Sequence, residues 1–142
     1  MITKLDPQRA VEIFDQVYGV LRLPLAKIEN EDRRKELMMR DLLAGNLQFW
    51  VASKEDKTVV AVAATRLMVD DYDGDRLLRI VSVWGFEKIP MEIWEEGFKE
   101  IGEFARRQKC KKVVAETDNR RVEELADNFG FNKTTLIEVE VR

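Results

Sequence analysis

Residues 98–131 read FKEIGEFARRQKCKKVVAETDNRRVEELADNFGF, and this stretch predicts a helix, a short strand and a second helix. Up to Cys110, apolar residues recur at steps of three and four, as they do on the core-facing side of a helix. They are Trp94, Phe98, Ile101, Phe104 and Ala105. The other elements of the chain are placed around this helix–strand–helix unit.

The second half of the unit contains the strand and the closing helix. Residues 113–115 are apolar and rich in β-branched side chains, so we expect a strand with both faces covered. Asp118 or Asn119 caps the next helix, and Gly130 ends it. The apolar stripe of that helix is Val122, Leu125, Ala126 and Phe129. We expect one core under the two helices, made of Ile101, Phe104, Val113, Leu125 and Phe129.

The N-terminal third is predicted to be helical, after a short leading strand at residues 2–5. Asp6-Pro7 is typical of a helix start, because an N-cap residue precedes a proline at the first helical position. Asn30 is expected to cap a second helix that ends at Gly45. The inward-facing residues are Ala10, Phe14, Val17 and Leu21 in the first helix, and Leu37, Met38 and Leu42 in the second.

The middle of the chain changes to strand patterns. Residues 47–53 and 58–69 are apolar, β-branched runs joined by a charged turn, which predicts a hairpin. A third run, residues 76–84, completes an antiparallel meander after the acidic loop 70–75. That loop resembles a calcium loop in composition, but its glycine is displaced, so a turn with Asp73-Gly74 at its tip is favoured. The alternation in residues 134–141 predicts a last strand near a sheet edge, with one buried face.

Composition limits the class of protein. The chain has 142 residues, of which 45% are hydrophobic and 36% are charged, as expected for one globular domain. No run approaches the ~18 apolar residues of a membrane span, and the first residues do not form a signal peptide. We therefore expect a cytoplasmic protein. The net charge of -3 and pI of about 5.2 give no reason to expect nucleic acid or a membrane as a partner.

The chain contains no histidine, and this excludes several kinds of site. Ser-His and Cys-His nucleophile pairs and histidine-containing zinc sites are absent. Any catalysis must therefore use Asp, Glu, Tyr, Lys or main-chain groups. The single cysteine, Cys110, is expected to be a packed small hydrophobe rather than a nucleophile.

The order of elements resembles that of the GNAT N-acetyltransferases over nearly the whole chain. The resemblance implies one α/β domain at residues 1–142, with a mixed, mostly antiparallel sheet, N-terminal helices and two C-terminal covering helices. Members of that family often carry the motif N-x-x-A-x-x-LYEKLGF, where x is any residue. The positions that match are Asn119, Val122, Leu125 and the run Asn128-Phe129-Gly130-Phe131.

A narrower likeness is to the degenerate GNAT-like proteins of tailed bacteriophages. Those proteins often have a QLW-like segment, a strand ending in T and a tryptophan-rich helix that leads to an AR-x-x-GC-like end. The similar segments here are Gln48-Phe49-Trp50, Thr65, Trp94 and residues 105–110. This likeness implies a protein of the host cytoplasm or of the virion.

The chain departs from the family pattern at two positions that carry its chemistry. The family's loop R/Q-x-x-G-x-G/A holds the phosphates of acetyl-CoA at a helix N-terminus, but residues 90–95 contain no glycine. Glu92, Glu95 and Glu96 would instead occupy or repel a phosphate site. In the family, the tyrosine of the LYEKLGF motif usually acts as the acid that reprotonates the leaving thiolate. Its position here is Ala126, and neither Tyr18 nor Tyr72 matches the motif.

These departures favour a degenerate acetyl-CoA site and a non-catalytic binding or assembly protein, with no cofactor. The alternative is an N-acetyltransferase that moves acetyl from acetyl-CoA to an amine. The resemblance places the cofactor arm at Val83, Trp84 and Asn119, although a helix cap explains Asn119 equally well. We identify no catalytic residue and no metal site, and Glu87, Glu116 and Asp118 are carboxylates near the strand ends.

Residues 84–94 form the most apolar connection in the chain. The side chains of this connection that we expect to contact a partner or a second copy of the chain are Trp84, Phe86, Ile89 and Met91. They either fill the vacant cofactor cleft or form an exposed patch, and an exposed patch marks a protein partner or self-association.

Overall fold

The computed structural model describes residues 1–116, 120–128, 130–134 and 137–141, with only the main chain of residues 121 and 122. Helices α1 (Pro7–Glu12) and α2 (Phe14–Leu21) follow strand β1 (Ile2–Lys4), and Asp6 caps α1 by accepting a hydrogen bond from the Arg9 N–H. Helix α3 (Glu31–Ala44) is capped by Asn30 and ends at Gly45, whose φ of 80° is left-handed. The predicted caps Asp6 and Asn30 and the stop at Gly45 are therefore confirmed, whereas the predicted first helix is divided at Ile13 into α1 and α2.

Among the described residues, five strands form one sheet in the order β1-β2-β3-β4-β5. Strands β2 (Leu47–Ser53), β3 (Val59–Val69) and β4 (Arg76–Gly85) form the expected antiparallel meander, and β1 pairs antiparallel with β2. Helix α4 (Met91–Arg107) then crosses over to β5 (Lys112–Ala115), which pairs parallel with β4. Only a crossover connection allows a parallel neighbour, so the long helix explains the change of strand direction.

The acidic loop before β4 is an ordinary turn. The carboxylate of Asp70 accepts a hydrogen bond from the Tyr72 N–H, and that of Asp73 accepts one from the Asp75 N–H. Hydrogen bonds from the main chain of Tyr72 and Asp73 lower the pKa of Asp70. Gly74 has a φ of 72°, as the tip of such a turn requires.

The sheet has two covered faces, and each face has its own core. Helices α1, α2 and α3 cover one face, where Phe14, Leu21 and Phe49 are buried together. Helix α4 covers the other face, where Phe104 packs edge-on against Trp50, with 5.7 Å between ring centroids. Cys110 packs against this second core, and burial raises the pKa of its thiol, as expected for a packed hydrophobe.

A chain of buried hydrogen bonds crosses the sheet beside the second core. The Trp50 indole N–H donates to the Thr65 hydroxyl at 2.9 Å, and this hydroxyl donates to Gln48 Oε1 at 2.7 Å. Gln48 Nε2 in turn donates to the Gly45 carbonyl. The three buried side chains therefore satisfy one another, as buried polar groups must.

The last helix, α5 (Arg120–Asn128), confirms the second helix of the predicted helix–strand–helix unit. Gly130 ends it with a φ of 73°, and the Phe131 N–H donates to the Ala126 carbonyl at 2.9 Å. Leu125 is buried, as predicted. The side chain of Val122 and the whole of Phe129 lie outside the described residues.

Two predictions about the C-terminal half are wrong. Val113 is 36% exposed, so β5 is not covered on both faces, because it is a four-residue strand at the edge of the described sheet. Val113 therefore does not join the core of Ile101 and Phe104. Thr134 and residues 137–141 lie outside any strand, and Ile137, Val139 and Val141 are 82–93% exposed. Alternation gives this segment an apolar face, but a strand also needs an edge to pair with.

Candidate functional site at the open edge of β4

Strand β4 extends well beyond its parallel neighbour. Strand β5 pairs with residues Leu77 to Ile80, and no described strand residue pairs with β4 on that side after Ile80. On the other side, β3 stays paired with β4 up to Gly85. Among the described residues, the last part of β4 is therefore open on the side of β5, and we call this open edge the cleft.

The main chain of β4 presents hydrogen-bonding groups to this cleft. The Phe86 N–H donates to the Val60 carbonyl, and hydrogen-bonded pairs alternate along an antiparallel ladder. Ser82 and Trp84 therefore direct their main-chain groups toward β3. Val83 and Gly85 direct theirs to the open side, so their N–H groups can donate to a ligand there.

The connection from β4 to α4 folds back over the end of the strand. A Cβ added at Gly85 would lie 2.8 Å from the Glu87 carbonyl oxygen and 3.0 Å from Ile89 Cγ1. Only glycine allows such a close approach, so Gly85 is a structural requirement of this connection. Ile89 is half-buried and packs close to Gly85 at the end of β4.

The start of α4 differs from a phosphate-binding turn. Pro90 is the N-cap and provides no side-chain cap, and its carbonyl accepts hydrogen bonds from the N–H groups of Ile93 and Trp94. Glu92 lies in the first turn, where its charge suits the helix dipole and opposes a bound phosphate. Glu96 points elsewhere, because its carboxylate accepts the Ile2 N–H at 3.1 Å and lies 3.6 Å from the Met1 amino group. The expectation that all three glutamates occupy the phosphate site is therefore wrong for Glu96.

An apolar pocket lies between α4 and the sheet, next to the cleft. Its volume is about 60 Å³, and both Val83 of β4 and Ile89 of the connection line it. On α4, the lining residues are Ile93, Trp94, Gly97, Phe98 and Ile101. Val83 thus has its main chain at the open edge and its side chain at the pocket.

The residues expected at the cofactor arm from the sequence do not all lie at the cleft. Val83 lies at the cleft, whereas the Trp84 side chain points to the opposite face and packs against the core under α1 to α3. Neighbouring strand residues face opposite sides of a sheet, which explains why the two side chains lie on different faces. Asn119 and Asp118 lie outside the described residues.

The predicted interaction residues are also divided. Phe86 is 53% exposed and Met91 is 40% exposed, whereas Ile89 is half-buried and lines the pocket. The side chains of this segment thus differ in their surroundings: Ile89 packs near Gly85 and lines the pocket, and Phe86 and Met91 are exposed. Trp84 belongs to the core, so it does not contribute to an exposed patch.

Candidate acids and bases near the cleft are few. Tyr18 is buried and accepts a hydrogen bond from Arg34, and Tyr72 is fully exposed at the loop before β4. Glu87 forms an ion pair with Lys54, and Glu116, which follows β5, lies 3.6 Å from Arg79. Both carboxylates are solvent-exposed partners in ion pairs. The chain has no histidine, and neither of these tyrosines lies at the cleft.

Two glycines of the site were not singled out from the sequence. Gly85 allows the connection to fold back, and Gly97 lines the pocket from the middle of α4. The signal was present, because each glycine interrupts a run that otherwise favours a strand or a helix. No helix among the described residues is long and apolar enough to cross a membrane.

No protein-family model and no curated protein matches the chain. Solved structures do match over its full length. A putative acetyl transferase from Pyrococcus furiosus is 20% identical, with a TM-score of 0.66 and all of both chains covered. A GNAT family acetyltransferase from Staphylococcus aureus is 13% identical, with a TM-score of 0.66 and 98% of its chain covered.

A third match is the aminoglycoside N-acetyltransferase AAC(6')-Iy in complex with CoA. It is 10% identical, with a TM-score of 0.69, and 100% of this chain and 98% of that chain are covered. Such low identities compare folds rather than activities. The chain has the GNAT fold, as a single α/β domain with a mixed, mostly antiparallel five-stranded sheet.

Proposed function

We propose that this chain is a GNAT-fold protein with a degenerate acetyl-CoA site, and that it binds a partner rather than transferring acetyl. The observation that carries the proposal is the connection after β4, where Ile89 packs against Gly85 and no glycine loop precedes α4. The likeness of several segments to degenerate phage-encoded proteins supports the same function. The cleft itself is retained, so the loss concerns the phosphate end of the cofactor.

The binding energy left in the cleft is small. A dissociation constant of 1 μM requires about 8 kcal/mol of binding free energy. The main-chain donors of Val83 and Gly85 would contribute roughly 0.5–1.5 kcal/mol each. The carboxylate of Glu92 opposes the phosphates. The two donors together supply roughly 1–3 kcal/mol. We therefore expect acetyl-CoA to bind with a dissociation constant of about 1 mM or weaker, since 1 mM corresponds to about 4 kcal/mol.

Comparison of two thioesters tests this proposal. Acetyl-CoA and acetyl-pantetheine share the thioester arm, but acetyl-pantetheine lacks every phosphate. We expect NMR titration of the labelled protein to give the same weak affinity for both, within a few-fold, with shifts at Val83 and Gly85. Micromolar binding of acetyl-CoA, far tighter than acetyl-pantetheine, would overturn the degenerate site.

The partner-binding part of the proposal rests on Phe86 and Met91. Both are exposed apolar side chains on the connection that replaces the phosphate loop. Large apolar side chains of this kind commonly anchor protein interfaces. We propose that they bind a protein partner, with a second copy of this chain as the case to test first.

Light scattering across a concentration series measures self-association directly. We expect Phe86→Ser to weaken it while the circular dichroism spectrum stays unchanged. Tyr72→Ser is the control, because Tyr72 is an even more exposed aromatic residue on a different loop. Equal self-association of the two variants and the unmodified chain would remove the second copy as the partner.

The second candidate function is N-acyl transfer, and the open edge of β4 favours it. There the amine would attack the thioester carbonyl, so that a C–N bond forms and the C–S bond breaks. The amine gives up a proton, and the departing thiolate gains one. CoA is bound by AAC(6')-Iy, which has a similar fold. Transfer of labelled acetyl from acetyl-CoA to a panel of amines, at a rate above that of a heated sample, would establish this function instead.

A further inference from the structure

The apolar pocket beside Val83 has no role in the phosphate or partner sites described above. We propose that it binds the aliphatic end of a short acyl thioester, with two or three carbons beyond the carbonyl. The proposal rests on the retained thioester-arm cleft of the proposed function. It adds the class of acyl group that the cleft prefers.

Val83 connects the cleft with the pocket. Its N–H faces the open edge of β4, where it can donate to a thioester carbonyl, and its side chain lines the pocket. A carbonyl held at this N–H places the acyl chain next to the Val83 side chain. The chain can then continue toward Ile93 and Gly97 of α4, which line the same pocket.

The chemistry of the pocket favours hydrocarbon. Its lining contains aliphatic and aromatic side chains and no charged residue. Two lining residues, Trp50 and Trp94, carry an indole N–H, and that of Trp50 already donates to the Thr65 hydroxyl. A polar acyl group would exchange its hydration for a lining made almost entirely of hydrocarbon, and this loss is unfavourable.

Gly97 keeps the pocket open. A glycine inside a helix costs about 1 kcal/mol relative to alanine, and a Cβ added at Gly97 would meet no atom within 4 Å. Gly97 shares the helix face of Trp94 and Ile101, and all three line the pocket. A larger side chain at position 97 would therefore occupy the space proposed for the acyl chain.

The volume of the pocket limits the length of the acyl group that it can hold. An apolar cavity of about 150 Å³ holds benzene, which is roughly 25 Å³ for each carbon. The pocket of about 60 Å³ therefore has room for two or three carbons. Acetyl, with one carbon beyond the carbonyl, would leave part of it empty, and hexanoyl would exceed it.

The test compares pantetheine thioesters of increasing acyl length by NMR titration of the full chain. We expect the dissociation constant to fall about fourfold from acetyl to propionyl and again to butyryl, which is ~0.8 kcal/mol for each buried methylene. Hexanoyl should gain nothing over butyryl. Gly97→Leu should abolish the dependence on chain length while acetyl-pantetheine still binds.

Gly102→Ala is the matched control for Gly97→Leu. Gly102 also lies in α4 with open space around an added Cβ, but it does not line the pocket. The control variant should therefore keep the chain-length dependence. Equal affinities of the unmodified chain for acetyl, propionyl and butyryl thioesters would overturn the acyl-pocket inference and leave the thioester-arm cleft standing. Absence of binding by every thioester would overturn both.

Discussion

Thr65 is buried in the sheet and serves two partners through one hydroxyl group. Thr65→Val would keep the shape but leave the Trp50 N–H and Gln48 Oε1 without that partner. Each buried polar group left unsatisfied costs about 1–3 kcal/mol, so for the two groups we expect a loss of about 2–6 kcal/mol in the free energy of unfolding, measured in urea. Thr65→Ser retains the hydroxyl and should lose only about 1 kcal/mol. Equal stability of the two variants would contradict the hydrogen-bonded chain.

Phe104 lies on the side of α4 that faces the sheet, is 6% exposed and packs against Trp50. Phe104→Ala should destabilise the protein by about 3–5 kcal/mol, because it removes a buried ring and leaves a cavity. Phe86→Ala is the matched control, since Phe86 is more than half exposed and its loss should stay within about 0.5 kcal/mol. Thermal unfolding of the two variants gives the comparison, and a near-neutral Phe104→Ala would mean that α4 presents a different face to the sheet.

Caps and core positions such as Asp6, Asn30 and Phe104 could be predicted because short-range periodicity and turn chemistry determine them. The buried pairing of Gln48 with Thr65 could not, because alternation assigns each residue to a face of the sheet but not to a partner. The close approach at Gly85 depends on how the next four residues return over the strand. A glycine inside a strand pattern indicates a close backbone approach, but the spacing of residues does not identify the partner of that approach.

The connection between β4 and α4 contains one packed side chain, Ile89, and one exposed side chain, Phe86. Ile89→Ser should lower the free energy of unfolding by about 1–2 kcal/mol, because its half-buried side chain packs on the strand and lines the pocket. Phe86→Ser should have little effect on stability, since the ring is mostly in solvent. Urea unfolding of the single variants separates the two roles. If Ile89→Ser proves as stable as Phe86→Ser, Ile89 does not pack against the end of β4.

The order and type of the elements could be predicted because hydrophobic periodicity changes clearly from helix to strand and back. The roles of individual charges within an element could not. Glu96 has helical spacing from Glu92, yet its carboxylate binds the main chain of β1, more than ninety positions earlier in the sequence. An acidic residue near a helix start thus has several uses that the sequence does not distinguish.

The C-terminal segment adds little to the stability of the folded domain. Ile137, Val139 and Val141 are almost fully exposed, and removing exposed side chains forfeits no buried apolar area. We expect deletion of residues 137–141 to leave the melting temperature within about 2 °C of that of the full chain, whereas ΔΔG of 1 kcal/mol would shift it by about 2–8 °C. A larger drop, measured by differential scanning fluorimetry, would show that the segment covers the sheet.

The sequence predicted helices with apolar stripes that must be buried, and the resemblance to the GNAT N-acetyltransferases implied the mixed sheet that they cover. The division into two separate cores could not be predicted, since it depends on which face of β2 and β3 each helix covers. The last strand was expected from alternation alone. Long-range pairing decides whether such a segment joins a sheet, and alternation does not contain that information.

The unequal lengths of β4 and β5 should be visible in the rates at which individual amide protons exchange with solvent. The Trp84 amide is bonded within the ladder to β3, whereas the Val83 and Gly85 amides face the open side. Adjacent residues of one strand should therefore exchange in a fast–slow–fast order from Val83 to Gly85 in D₂O, since unbonded amides need no opening of the sheet. Further back, where Leu77 to Ile80 have strands on both sides, the amides should all be slow. This alternation would give the cleft a signature readable before any ligand is added, and protection of Val83 alone would then report a thioester carbonyl at its N–H.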